Sequence, residues 1–423
     1  MEYITKRIKE GINVHYIKTN LFKTNLISIF LTKKLDRSTV TKNTLIPAIL
    51  VSGSKNMPSR EDISKSLENL YGAELDCGVE KTGDNQILKF YIEALNNDYI
   101  ITDENLLEEC IEKILEVVFN PVLEEGIFKQ EYINKEKEKV KQLINSKIDN
   151  KDKYSLGRCI EEMYKEVPYG LYKYGYVEDL EGITASHLYE EYKNLINTAK
   201  IDIFISGNFN EGIDLFIKEN ENIQKLQPRT PDFIVNNETT EKKEQQETKT
   251  VEEKLDVAQG KLVIGLDVMS NVEGSRFAVS LYNVILGGSP NSKLFQNVRE
   301  AESLAYTVGS VYLRTKNNIM IRAGIEIDSY DKVVELIKKQ IEDVKNGDIT
   351  DEDIEIAKKY INFGIQSITE EQETGITYYL GEELSGFCLS PEEYSQKINN
   401  VTRNDIVNVA QNIQINTVYF LRN

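Results

Sequence analysis

His15 and His187 are the only two imidazoles in a chain of 423 residues, so chemistry that needs a histidine cluster is closed to it. His15 lies in a strand-like run, GINVHYIKTN, and His187 lies early in a helical run after Thr184. Neither falls in an H-x-x-E-H context, and each reads as a structural or surface group. Cys77, Cys110, Cys159 and Cys388 are scattered without C-x-x-C spacing and read as reduced, mostly buried thiols. A Ser/His/Asp set, a G-x-S-x-G elbow, a Walker loop and a G-x-G-x-x-G after a strand are all missing in the contexts that would give them meaning. Gly287-Gly288-Ser289 reads as a turn before a capped helix. Arg299 falls near the end of a helical run and Tyr306 at the start of a strand-like one. On the residues alone the structural reading of this pair leads, because Arg suits a helix C-terminus and Tyr a strand.

The elements that must position them have local signatures. Ser289 and Pro290 fit N-cap and N1 of a helix running to about Glu300, with Leu294, Phe295 and Val298 as its apolar stripe. LAYTVGSVYLR and NIMIRAGIEI, joined near Lys316-Asn317, read as an antiparallel hairpin that Tyr306 opens. The first half of the chain carries the same plan. Gly53-Ser54 precedes a helix with Ser59 as N-cap, Asp62 three residues on, and Ile63, Leu67 and Leu70 on one face. AELDCGVEK and QILKFYIEAL then form a hairpin turning at Thr82-Gly83-Asp84-Asn85, which Tyr71 opens. The separation from Gly53 to Tyr71 equals that from Gly288 to Tyr306. The halves also end alike, each with a Thr N-cap (Thr184, Thr402), a helix and a short apolar strand. Self-similarity of this kind marks an internal duplication. The segment from about Leu123 to Asp149 reads as a charged helix whose Glu131–Lys135 and Glu138–Lys141 pairs make a solvated face.

The expected class is therefore α+β: two homologous domains, each an antiparallel-rich sheet with helices packed mainly on one face. The domains are expected over residues 1–228 and 255–423, with the polar segment 229–254 as a solvated linker. Fifty-one basic against 69 acidic residues give a net charge of −18, which repels nucleic acid and anionic membrane surfaces. No apolar run approaches the roughly 20 residues of a membrane helix, and the amino terminus MEYITKRIKEG lacks a secretory h-region, so a soluble, cytoplasmic protein is expected.

With these elements in place, Leu286 to Tyr312, LGGSPNSKLFQNVREAESLAYTVGSVY, resembles the carboxy-terminal-domain signature of the insulinase/pitrilysin metallopeptidases, in the mitochondrial processing peptidase-like branch. The signature is a Gly-rich turn, a helix ending in Arg-Glu and a Leu-Ala-Tyr strand start. Both halves fit the duplicated domain of that family, including AQGKLVIGLDV entering the second and PYG near Pro168 in the first. The resemblance implies zinc bound by an inverted H-x-x-E-H on a first-domain helix plus a distant glutamate, with the motif glutamate as general base. Here the motif positions fall on Thr44, Pro47 and Ala48, and the distant glutamate falls near Leu143. None of these can ligate zinc. No cofactor is expected in this chain.

What the family pattern keeps is Arg299 and Tyr306, which in similar proteins contact substrate bound at the zinc of the other domain. The resemblance thereby reverses the balance toward function. It implies the zinc-less subunit of a heterodimer, inactive alone, whose homologous partner carries H-x-x-E-H and zinc. Arg299, with a fixed fork of donors suited to a peptide carbonyl or carboxylate, and Tyr306, whose hydroxyl can donate to an oxyanion, would act there in trans on a peptide substrate. A peptide- or protein-binding scaffold without any part in cleavage is the alternative, and an enzyme of unrelated chemistry a distant third.

Overall fold

The computed structural model describes residues 2–101, 104–210, 212–235, 247–269 and 275–423. Among these, β1 (Glu2–Lys9), β2 (Ile12–Lys18), β3 (Thr24–Lys34), β4 (Glu74–Thr82) and β5 (Asn85–Leu95) precede a short hairpin of β6 (Leu123–Glu124) and β7 (Ile127–Phe128). β8 (Lys200–Gly207) completes a six-stranded sheet ordered β1-β2-β8-β3-β5-β4. The second sheet has five strands, β9 (Lys249–Lys254), β10 (Gly260–Val268), β11 (Ala305–Leu313), β12 (Asn318–Ile325) and β13 (Ile413–Arg422), ordered β11-β12-β10-β13-β9. With β1 set aside the two orders match strand for strand: β4-β5-β3-β8-β2 against β11-β12-β10-β13-β9. The one parallel pairing recurs too, β2 with β8 and β9 with β13.

The helices of the first half are α1 (Val40–Leu50), α2 (Arg60–Asn69), α3 (Leu106–Phe119), α4 (Gln130–Asn145), α5 (Lys151–Met163), α6 (Val177–Leu180), α7 (Ala185–Thr198), α8 (Ile213–Glu219) and α9 (Glu221–Lys225). Those of the second are α10 (Ser275–Asn283), α11 (Tyr330–Lys345), α12 (Asp351–Ser367), α13 (Gln372–Ser385), α14 (Pro391–Asn399) and α15 (Arg403–Gln411). Helix starts obey the expected capping chemistry. Ser59 and Thr402 form capping boxes with Asp62 and Asp405, and the Thr184 hydroxyl accepts from the His187 amide.

Contacts group the chain into two compact units that are not continuous in sequence. Residues 147–170, with α5, belong to the unit built on the second sheet, and residues 369–381 to the unit built on the first. Each sheet buries one face under its own helices. Val14, Ile29, Phe90 and Ile203 meet Leu45, Ile111 and Leu195 in one unit, and Ile264, Ile321 and Phe420 meet Val279, Ile337 and Ile406 in the other. The opposite faces carry the exchanged segments. Helix α5 seals an apolar layer in which Cys159 and Met163 pack on Val263, Met320, Tyr419 and Leu421. Gly265 on β10 makes room, since a Cβ there would stand 2.2 Å from the Met163 sulfur. On the first sheet, Tyr379 stacks on Tyr3 with ring centroids 3.8 Å apart, and the Gln372 amide donates to the Thr24 carbonyl at 2.7 Å.

A fragment of residues 247–423 lacks α5 and leaves that apolar layer to water. It is expected to aggregate and bind a hydrophobic dye, and to regain cooperative unfolding when a 147–170 peptide is supplied. A soluble, cooperatively unfolding monomer from the bare fragment would refute the role given to α5.

Several local expectations are corrected. Lys249–Lys254, expected within the linker, form β9, because Val251 completes the apolar layer under α5 and the parallel ladder to β13 satisfies the backbone. Arg229, at the start of that segment, is buried with its guanidinium donating to the Gln227 carbonyl. Residues 236–246 of the expected linker lie outside the described residues. The cap before Phe295 is the Ser292 hydroxyl, 3.4 Å from the Phe295 amide; Ser289 instead bonds back to the Val284 carbonyl. Tyr71 sits in the turn before β4 with φ of 57°, whereas Tyr306 lies inside β11, so equal spacing did not put the tyrosines in one kind of place. On α4 the ion pair formed is Glu136–Lys139 at 2.6 Å, with Glu136 buried.

Candidate functional site

The positions expected to be degenerate lie where two helices meet. Helix α1 packs on α4 and against the β4–β5 hairpin, and Thr44, Pro47 and Ala48 occupy its middle. The Thr44 hydroxyl is spent on the Val40 and Lys173 carbonyls, at 3.0 and 3.3 Å. Pro47 has neither a charge nor an N–H to offer. Beside them, fully buried Gln86 of β5 donates to the same two carbonyls, at 3.0 and 2.9 Å, and accepts from the Asn43 amide at 3.1 Å. This network ties α1 to β5 through uncharged amide, hydroxyl and carbonyl groups. Leu143 on α4 is 40% exposed, and the buried carboxylate of that helix is Glu136, a residue passed over in the sequence.

The histidines stand on separate elements. His187 is exposed at the start of α7, and His15 is fully buried in β2. Among the described residues no three His, Cys, Asp or Glu side chains come together to hold a metal ion. None of the four cysteines forms a disulfide, and burial pushes the Cys77, Cys110 and Cys159 thiols up to about 12, which keeps them protonated and unreactive.

Arg299 and Tyr306 lie at the two ends of one turn. Arg299 belongs to a π-helical stretch, Phe295–Glu300, a geometry common at functional positions. Its guanidinium rests over the Phe295 ring at 4.6 Å and stands 3.7 Å from Glu300, with the side chain 41% exposed. The turn is closed by the Ser303 amide to the Arg299 carbonyl, 3.1 Å, and the Leu304 amide to the Val298 carbonyl, 3.2 Å. Strand β11 then begins with an irregularity. Ala305 pairs with Ile325 and Thr307 with Gly324, so Tyr306 is an extra residue, a β-bulge. The bulge leaves Tyr306 54% exposed, with its hydroxyl donating to Glu326 at 3.2 Å. That bond holds the phenol above its ordinary value, so it stays protonated and able to donate.

The family model described as "Peptidase M16 inactive domain" matches residues 182–361. The chain is 33% identical over 419 residues to "Probable inactive metalloprotease YmfF" of Bacillus subtilis (strain 168), covering 97% of this chain and 96% of that protein. The chain belongs to the M16 metallopeptidase family. A solved structure of a conserved protein from Enterococcus faecalis V583 aligns over 100% of this chain and 99% of its own at a TM-score of 0.89 and 26% identity. The fold is shared as well by a peptidase M16 inactive domain from Pseudomonas fluorescens, with a TM-score of 0.79 over 100% of this chain and 98% of that one, at 18% identity.

Thr44, Pro47 and Ala48 present a hydroxyl, a pyrrolidine ring and a methyl group, with the Asn43 and Gln86 amides beside them, and none of these groups is a ligand that zinc favours. The purified chain is expected to hold no stoichiometric zinc and to cleave no peptide by itself. Metal analysis alongside a panel of unstructured peptides tests this. One zinc per chain with chelator-sensitive cleavage would contradict it.

The first M16 unit also buries a charged group that the sequence did not announce. Asp202 is fully buried, with the Lys200 ammonium 2.5 Å from each carboxylate oxygen, His15 Nε2 at 3.0 Å and the Asn13 amide at 3.2 Å. The Tyr3 and Thr5 hydroxyls lie 2.8 and 3.1 Å from His15 Nδ1. Burial would raise the Asp202 carboxyl, but attraction from Lys200 and the bond from His15 outweigh it and hold it well below the usual carboxylate range. The signal available beforehand was the alternation of β8, KIDIFISG, whose Lys and Asp share a face with Phe204.

Proposed function

We propose that this chain is the zinc-less, non-catalytic subunit of a heterodimeric M16 zinc peptidase, in which Arg299 and Tyr306 reach substrate held at the partner's zinc. The observation that carries the reading is the exposed Tyr306, set outward by its bulge at the end of a turn that begins with Arg299, in a chain whose own α1 offers no ligand. A core tyrosine would have been buried. Arg299 presents a donor fork to a peptide carbonyl or carboxylate, and Tyr306 a donor to the oxyanion formed when zinc-bound water attacks the amide.

The relatives add support. Bacillus subtilis (strain 168) holds both the relative named inactive and "Uncharacterized zinc protease YmfH", which is 30% identical to this chain over 169 residues, 40% of this chain and 38% of that protein. A pair of chains, one named inactive and one named a zinc protease, fits the heterodimer. Peptide substrates, zinc in the partner and a cytoplasmic complex belong to the same proposal. Division into an N-terminal half with the lost zinc positions and a C-terminal half with the Arg/Tyr pair, produced by duplication, is supported by the shared strand order. No helix among the described residues is long and apolar enough to cross a membrane.

One observation favours the scaffold reading, namely that the Tyr306 hydroxyl already has an acceptor in Glu326. Co-purification from the native host separates the two. A zinc-bearing M16 homologue in the complex, with peptide cleavage that needs both chains, supports the trans site. Cleavage by the partner alone at the rate of the complex would overturn it.

A further inference from the structure

The Tyr306 phenol carries a single proton, and that proton is committed. The hydroxyl donates to Glu326 Oε1 at 3.2 Å, across the end of the β11–β12 ladder. Two features of the backbone aim these side chains at each other. The bulge turns Tyr306 out of the β11 alternation, and Glu326 follows directly on the last paired residue of β12 in an extended conformation, φ −67° and ψ 139°. Glu326 also heads the short turn Ile327–Ser329, where its carbonyl accepts from the Ser329 amide at 3.0 Å while its carboxylate makes no bond to that turn. The carboxylate is thus left for Tyr306. The neighbouring charges are engaged elsewhere: Glu302 takes the Lys332 ammonium at 2.9 Å, and Glu300 faces Arg299.

An oxyanion donor must point its proton at substrate, and a hydroxyl that gives its proton to a carboxylate cannot do both. We propose that Glu326 is an autoinhibitory acceptor, holding the Tyr306 hydroxyl in a resting orientation from which it must be released to serve the oxyanion of a bound peptide. This inference rests on the trans-site reading above. The resting bond is exposed, so its restraint is modest, on the order of a few-fold in rate.

The test is a double-mutant cycle in the reconstituted complex, with a second readout on the isolated chain. Glu326→Gln keeps the shape and removes the charge. It is expected to raise kcat roughly two- to five-fold when Tyr306 is present and to leave kcat unchanged in a Tyr306→Phe background. In the isolated chain, a ring-labelled tyrosine followed by NMR, with Tyr306→Phe for assignment, is expected to show the Tyr306 phenol titrating at lower pH in Glu326→Gln. A fall in kcat, an equal change in both backgrounds, or an unmoved phenol titration would overturn the proposal. The trans-site reading fails separately, if Tyr306→Phe itself leaves an intact complex at wild-type rate.

Discussion

In a reconstituted complex with a zinc-bearing M16 partner, Tyr306→Phe lowers kcat by roughly 10² to 10³ while substrate binding persists, by analogy with loss of one oxyanion donor. The substitution removes one hydroxyl from a half-exposed side chain, so neither fold nor assembly should suffer. Arg299→Ala should differ in kind. A guanidinium that grips carbonyls in both ground and transition states contributes uniform binding, and its loss raises KM with little change in kcat. Steady-state kinetics of both variants, with a sizing measurement to show that the complex is intact, decides the matter. Wild-type kinetics from both would leave the scaffold reading standing.

The second large effect is on stability. Asp202→Ala leaves the buried Lys200 ammonium without its counter-charge and His15 Nε2 without its acceptor, and should cost about 3–5 kcal/mol, the range for breaking one partner out of a buried pair. The sign of the pH dependence follows from the direction of the shift. A carboxyl held below its unfolded value adds stability that is full above about pH 4 and is lost as pH falls below that. Acid should therefore destabilise the wild-type chain more steeply than Asp202→Ala in that window. Denaturant unfolding at neutral and acid pH measures both effects; equal acid sensitivity in the two proteins would count against the buried pair.

Much of this was legible in the chain because it depends on neighbours a few residues apart. The capping boxes at Ser59 and Thr402, the two-residue turn at Gly83-Asp84 and the β11–β12 hairpin follow from local hydrogen bonding and the period of apolar residues. The lack of an H-x-x-E-H was legible more simply still, since the two histidines lie far apart. That Arg299 and Tyr306 were worth watching came from their place in the resembling segment; the spacing itself promised no more than a helix end and a strand.

Other features depend on contacts between residues remote in sequence. That α5 completes the second sheet and residues 369–381 the first could not be read from amphipathic patterns, which say that a face is apolar but not which partner covers it. β9 was hidden because an edge strand of alternating Lys, Thr, Val and Glu has the composition of a solvated linker, and only the β13 ladder gives it a structure. The bulge that exposes Tyr306 is a one-residue register shift, set by how β11 lies against β12 and invisible in either strand alone. Composition and local pattern thus determined many of the elements and the lack of an H-x-x-E-H, while the family was suggested by the resemblance of Leu286 to Tyr312. Tertiary packing decided which elements share a core, which charges are buried, and that the one exposed tyrosine at the candidate site already has an acceptor for its proton.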